Sequence, residues 1–242
     1  MLTKLRSAPE RLHLGLMLAL TFSTGIVDAV GYLGLDKVFA GNITGNVVIL
    51  GMALAGADDL PWIGPLLALF AFMFGAVVGG RVLRPVAAGW TTRTTWLFAV
   101  VGLVQAALAV SLFITNGPPP QPWEYLITFF LAASMGTQAA TARHIGVKDV
   151  TTVVVTSTIT GFAADSRLAG GTGQPWVRRL LAIVLIAAGA AVGALLLQVH
   201  IGWGVGAAAL LTLLAALLGQ VAAHARHAER LAGNSGSLRQ AQ

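Results

Sequence analysis

The chain predicts an all-α integral membrane protein, with six transmembrane helices plus two re-entrant half-helices arranged as two inverted repeats. Three observations lead there. Of 242 residues, 56% are hydrophobic and only 10% charged, with mean hydropathy +0.80, whereas a soluble domain carries about 25% charged residues. Glycine fills 29 positions, an excess that lets helices approach closely in lipid. Six stretches reach the roughly 20 apolar residues a helix needs to cross the hydrocarbon.

The elements follow in order. Lys4, Arg6 and Arg11 precede the first apolar run. Basic residues in that position also open secretory signal peptides, but no small-x-small cleavage site follows, so Leu14–Leu35 reads as a retained span. Trp62–Leu83 and Thr94–Thr115 complete a first repeat over residues 14–116. Trp123–Ala142, Val177–Val199 and Trp203–Ala223 supply a second over residues 123–223. Residues 1–13 form a cytoplasmic N-terminal segment and residues 224–242 a polar, frayed cytoplasmic tail, all within a single membrane domain.

Two apolar stretches fit less well. Val47–Ala57 is too short to cross, and Thr152–Ala164 is rich in Thr and Val and interrupted by Gly161. As full spans they make eight helices; as half-helices they leave six. Loop charge separates the two, because orientation follows Lys and Arg in short loops. With six spans and a cytoplasmic N-terminus, 14 of the 15 Lys and Arg residues lie inside and Lys37 alone outside. With eight, Arg81, Arg84, Arg93, Arg143 and Lys148 join Lys37 outside and the bias fades.

The same bias accounts for the net charge of +6 and the pI near 10.8 without a nucleic-acid partner. The absence of cysteine excludes a disulfide framework, a thiolate metal site and a thiol nucleophile. All six tryptophans fall at or near span ends, where amphipathic rings anchor helices at the interface. Gly75/Gly79, Gly189/Gly193 and Gly202/Gly206 have the spacing of close helix packing, inside the molecule or in a homo-oligomer.

An internal repeat is visible. Gly34-Leu35-Asp36-Lys37-Val38, followed by Thr44-Gly45-Asn46, aligns 112 residues on with Gly146-Val147-Lys148-Asp149-Val150, followed by Thr156-Ser157-Thr158. Asp28-Ala29 aligns with Gln138-Ala139 after a two-residue shift. Each half reads span, short connection, irregular stretch, span, span. Three full spans per half is an odd number, so the second half is inverted, and inverted repeats with broken helices point to a secondary transporter.

The irregular stretches carry the candidate site. Phe39–Ile43 and Thr151–Val155 lead into the short helices; glycine and β-branched residues there favour non-helical backbone. Thr44, Asn46, Thr156 and Thr158 are good N-cap types, and two half-helix N-termini would aim partial positive charge inward. Asp28 lies about fourteen residues into the first span, where a carboxylate costs about 2.5–3.5 kcal/mol and must face the interior. It either relays a proton or cation as access alternates, or caps a neighbouring half-helix without changing charge. Gln138 either contacts a solute or joins two helices. No zinc-protease spacing, Walker loop, dinucleotide fingerprint or nucleophile elbow occurs, so no metal, no cofactor and no enzyme activity is expected. Asp165 and Arg167 are placed to pair beside the second half-helix.

Gly25-Ile26-Val27-Asp28-Ala29 followed by Val38-Phe39-Ala40-Gly41-Asn42-Ile43-Thr44-Gly45-Asn46 resembles the opening signature of the YoaK-like bacterial membrane proteins, the domain-of-unknown-function family numbered twelve seventy-five. Gly136-Thr137-Gln138-Ala139-Ala140 and Thr151-Thr152-Val153-Val154 resemble its second-half motif, although Thr156-Ser157 stands where members often have Thr-Gly. The resemblance covers almost the whole chain. It implies a six-span protein of the bacterial inner membrane and supplies no substrate.

The expected function is a membrane transporter or channel for a small polar solute or ion, with a midplane site between the inverted halves. Its expected lining is Asp28, Asn42, Thr44, Asn46, Gln138, Thr152, Thr156 and Thr158, with Asp28 as the proton-coupling residue. The helix ends argue for an anion and Asp28 for a proton or cation. The alternative is a non-transporting scaffold or accessory subunit that uses its glycine-rich faces to bind another membrane protein.

Overall fold

A computed structural model describes residues 2–57, 59–115, 119–147, 155–172 and 176–240, with residues 2–10 and 225–240 described as backbone only. The described residues form eight α-helices and no strand: α1 (Leu2–Gly34), α2 (Ile43–Leu54), α3 (Ile63–Leu83), α4 (Thr92–Ile114), α5 (Gln121–Ile145), α6 (Val155–Ala164), α7 (Trp176–Val199) and α8 (Ile201–Gln240). One 3-10 turn, Arg167–Ala169, follows α6. Local chemistry sets several ends. Thr91 and Thr94 exchange side-chain and backbone bonds across the start of α4, satisfying N–H groups a helix leaves unpaired. Pro122 sits in the first turn of α5, and Gly146 ends that helix with φ +71, a left-handed angle that glycine adopts without a steric penalty. α1 begins at Leu2, and its apolar span, Arg11–Gly34, falls where Leu14–Leu35 was expected. One expectation is corrected here: the tail read as frayed is helical backbone to Gln240.

Among the described residues, five helices are long and apolar enough to cross a membrane: Arg11–Gly34, Ile63–Leu83, Thr92–Ile114, Trp176–Val199 and Ile201–His224. α5 is as long, at 25 residues, but more polar, because it buries Thr128, Ser134, Thr137, Gln138 and Thr141 against its neighbours. A helix shielded by other helices needs no apolar surround, and the Ser134, Thr137 and Thr141 hydroxyls find carbonyl partners. Thr137 Oγ1 donates to the Ala133 carbonyl, and also across to Gly75 of α3 at 3.1 Å.

Glycine contacts give the helix directions. A methyl group added at Gly75 would lie 1.9 Å from the Ala133 carbonyl oxygen, and one at Gly136 2.0 Å from that of Phe72. Further along, Gly79 meets Thr137 and Ala140, so α3 and α5 run parallel. The other half repeats this. Gly25 abuts Ile186, Gly189 abuts Phe22 and Gly193 abuts Ile26, so α1 and α7 also run parallel. In contrast Gly102 meets Leu213 while Gly202 meets Phe113, so α4 and α8 are antiparallel.

Packing is therefore unchanged when α1 is exchanged with α5, α2 with α6, α3 with α7 and α4 with α8. The two halves are interwoven: α3 packs on α5 and α7 on α1, while α2 rides on α3 and α6 on α7. Equivalent glycines fix the register. Gly25 corresponds to Gly136, an offset of 111 residues, which pairs Gln138 with Val27 rather than with Asp28.

The connection after α1 turns back. Asp36 lies against Gly64 at the start of α3, and Lys37 Nζ donates to the Asp59 carbonyl at 3.2 Å. Between those points the chain descends to the level of Asp28, and α2 then returns it to the same end of the bundle. At the opposite end, Trp90 stacks on His13 and packs against Phe98 and Gly219. It is buried, unlike the other five tryptophans, which face outward near helix ends. That corrects its expected anchoring role. Asp165 pairs with Arg179 of α7 at 2.7 Å, not with Arg167.

Gly136→Ala is expected to lower stability by about 1–3 kcal/mol, the usual cost of overpacking, because its neighbour is backbone that no rotamer change can move. Gly51→Ala, with nothing within 4 Å, is expected to be neutral or stabilising. Thermal unfolding in detergent compares them.

Candidate functional site

Where α1, α5 and the turn before α2 meet, backbone leaves the helix inside the bundle. Asp28 answers it. Its carboxylate, on a residue only 5% exposed, accepts the Gly41 N–H at 2.7 Å, the Asn42 N–H at 3.2 Å and the Asn42 side-chain amide. Asn46 closes the same turn from the other side. Its oxygen accepts the Phe39 N–H at 2.8 Å and its amide donates to the Phe39 carbonyl at 2.6 Å. Gly41 is wedged between α1 and α5: a methyl there would lie 2.6 Å from Thr24 Cγ2 and 3.1 Å from Met135 Cε.

Gln138 lies deeper and fully buried. Its amide reaches Thr24 Oγ1 at 3.4 Å, and its oxygen lies 3.5 Å from Thr212 Oγ1, which stands 3.3 Å from the Gln105 side-chain oxygen. Four helices thus share one polar layer beneath the Asp28 turn. The layer also satisfies its members locally, since Thr24 and Thr212 donate to Leu20 and Ala208 of their own helices at 2.9 Å.

The expected lining is only partly brought together. Asp28, Asn42 and Asn46 share the turn, with Gln138 below. Thr44 is exposed in the first turn of α2, and Asn42 occupies the N-cap position that Thr44 and Asn46 were expected to fill. Thr156 is exposed and Thr158 buried on α6, which packs on α7 and the 3-10 turn but not on α2. Thr152 and the stretch Thr151–Val154 lie outside the described residues. Gln105, Thr212 and Thr24 were missed. Gln105 interrupts the apolar run 101–112 just as Asp28 interrupts its own, and that signal would have found it.

The family match covers residues 16–218 and is described as "Protein of unknown function (DUF1275)". The chain belongs to that family. It is 27% identical over 151 residues to the UPF0700 transmembrane protein YoaK of Bacillus subtilis (strain 168). That alignment covers 62% of this chain and 65% of the relative, so the chain spans less than two thirds of that protein's length. No solved structure matches. Together with the five long apolar helices, the likeness makes this DUF1275 protein a multi-pass membrane protein.

At the end of the bundle where α3 begins, this DUF1275 chain holds a second acidic group. Asp36 sits in the connection after α1, accepting from the Gly64 backbone N–H. Partial withdrawal from water holds its carboxyl above the ordinary value of 3.8, against the opposing pull of that bond and of Lys37. A raised carboxyl stabilises the fold fully below its unfolded value and loses that contribution as pH rises through the folded value.

Asp28→Ala is expected to cost about 1–3 kcal/mol, by leaving backbone N–H groups without an acceptor; urea or thermal unfolding checks it. Asp36→Asn is expected to raise the midpoint at pH 7, with the gain vanishing below pH 3.8. A gain that grows on acidification would contradict the sign.

Proposed function

We propose that this protein is a transporter or channel for a small polar solute, with its site at the Asp28 turn between two inverted halves. Each half contributes three membrane-crossing helices and one re-entrant short helix: α1, α3 and α4 with α2, then α5, α7 and α8 with α6. What supports re-entry of α2 is the Lys37–Asp59 contact, which joins the two ends of its excursion. What supports inversion is that α4 and α8, equivalent under the packing exchange, are antiparallel. Lys and Arg, gathered in the connections at the end holding residues 81–93 and 143, support a bacterial inner-membrane location with cytoplasmic termini.

The observation that carries the reading is the reach of Asp28 from one welded helix pair to the other. Gly25, Gly189 and Gly193 join α1 to α7 through close backbone contact, and Gly75 and Gly136 join α3 to α5. Asp28 is on the first pair. The turn it holds leads into α2, which rides on the second. Rocking of one pair against the other would break the Asp28–Gly41 and Asp28–Asn42 bonds and the Thr24–Gln138 contact, opening polar groups to a solute. A proton taken up by Asp28 at that moment would compensate the lost donors, which couples solute movement to protons.

A scaffold is the second reading, favoured by one observation: Asn46 and Asn42 both commit their amides to holding the turn. Flux separates the two. In proteoliposomes the wild type is expected to move at least one small polar solute from a panel of sugars, amino acids and inorganic ions. Asp28→Asn is expected to cut that flux tenfold or more and to flatten its pH dependence. Unchanged flux with an unchanged pH profile removes Asp28 from the mechanism, and no flux for any solute favours the scaffold.

The chain has no cysteine, so single-cysteine labelling reads topology directly. Lys37→Cys and Ala57→Cys are expected to label from the outer side of spheroplasts, and Ala88→Cys only after permeabilisation. Labelling of positions 37 and 57 from opposite sides would mean that α2 crosses.

A further inference from the structure

The strap that joins α3 to α4 does more than connect them. Residues 84–89 run over the end of the bundle, exposed or half-buried, and Trp90 alone turns inward, 7% exposed. Its ring stacks on His13 of α1 with centroids 5.5 Å apart and packs against Phe98 of α4 at the same separation. It also fills a slot on α8 that leaves no room for a methyl at Gly219. Two polar contacts tie the strap to α5. The Gly89 N–H donates to the His144 carbonyl at 3.3 Å, and His144 Nε2 stands 3.1 Å from the Ala87 carbonyl oxygen. The helices so touched, α1, α4, α5 and α8, are the four that share the layer of Thr24, Gln105, Gln138 and Thr212. Phe98 stands seven residues from Gln105 on α4, and Gly219 seven from Thr212 on α8. Seven residues make two helical turns, which puts each pair on one face and about 10 Å apart along the axis. Trp90 therefore closes the end of the layer opposite the Asp28 turn, above an apolar cluster that includes Met17, Leu20, Ala142 and Ala215.

Resting on the transport reading above, we propose that residues 84–90 are the second gate of the solute path, a strap whose Trp90 plug closes one end of the polar layer while the Asp28 turn closes the other. Both bridge the two welded helix pairs. The Asp28 turn leads from α1 into α2, which rides on α3. The strap leaves α3 and is bonded to α5, yet its ring lies against α1 of the other pair and against α8, which packs on α1. Rocking that parts the pairs at one end releases one bridge while the other stays shut, which is what alternating access requires. A connection from α3 to α4 needs neither the bonds to α5 nor the reach to α1. The strap is also built to bend. Gly89 holds φ +117 with nothing near a would-be methyl, and the exchange between Thr91 and Thr94 fixes α4 directly after it, so bending is confined to the strap. When shut, an apolar plug keeps water and ions out, as hydrophobic constrictions do in channels.

The chain has no cysteine, so thiols placed beneath the plug report its opening. Ala215 and Ala142 are 1% and 5% exposed there. As Ala215→Cys or Ala142→Cys, each is expected to react slowly with a charged, water-soluble thiol reagent in purified protein. The strap is then locked by adding Ala87→Cys and His144→Cys and bridging them with a short bifunctional thiol reagent before the label. Locking is expected to slow labelling at positions 215 and 142 tenfold or more. Ala68→Cys, as deeply buried near the opposite end of the bundle, should keep its rate. Trp90→Ala is expected to speed labelling at position 215 tenfold or more, well below its own melting midpoint. Equal rates with the strap bridged and free, or an equal slowing at position 68, overturn the proposal, because labelling then reports no movement of the strap. In proteoliposomes the bridge is expected to abolish flux, and flux that persists through it overturns the gate as well. No flux from the unbridged protein removes the transport reading instead, an outcome the labelling rates distinguish from a strap that never opens.

Discussion

Backbone that leaves a helix inside a packed bundle has no water to bond with, and the Asp28 carboxylate is what it reaches. The connection after α1 can descend between α1 and α5 because three donors, from Gly41 and Asn42, converge on that one group. Asn46 pairs with Phe39 and closes the turn behind them. Gly41 lets the turn fit, since the space between Thr24 and Met135 admits no side chain. With the turn held, α2 lies along α3 and α3 starts beside Asp36. Remove the carboxylate and the geometry of a quarter of the bundle loses its reason.

The second constraint is the approach of backbone to backbone. Gly25, Gly75, Gly136 and Gly189 each occupy a place where a carbonyl oxygen of another helix stands within 2.2 Å of a would-be methyl. Helices in lipid gain little from burying apolar surface against one another, so close packing of small residues is what associates them. These contacts join helices from different halves, α1 with α7 and α3 with α5. Relative movement is then easier between the pairs than between the halves of the chain. That places the proposed moving boundary through the polar layer of Thr24, Gln105, Gln138 and Thr212, whose bonds are long, at 3.3–3.5 Å.

Much of the site was legible, and the reasons are particular. Asp28 stood out because a charge in an apolar run is costly and needs partners, and Asn42 and Asn46 followed from the irregular stretch beside it. Gln105 obeys the same logic and was passed over because its run was read as an ordinary span. Thr44 and Thr156 were read as caps, but a Thr on a short helix suits an exposed face equally well, and only packing decides which. Trp90 matched the pattern of an interfacial anchor. It is buried because Gly219 leaves a slot for its ring and His13 covers it.

By itself the sequence determined the number and order of the helices, their apolar character, the two short interruptions and the presence of one deeply placed carboxylate. Those properties are local: they follow from runs of residues and from the cost of a charge among them. Only the tertiary structure decided that the halves exchange helices, that the repeat register is 111 residues between Gly25 and Gly136, and which polar residues touch. Such outcomes depend on contacts between residues far apart in the chain. The shape of two facing surfaces sets them, and no single stretch of sequence carries that shape.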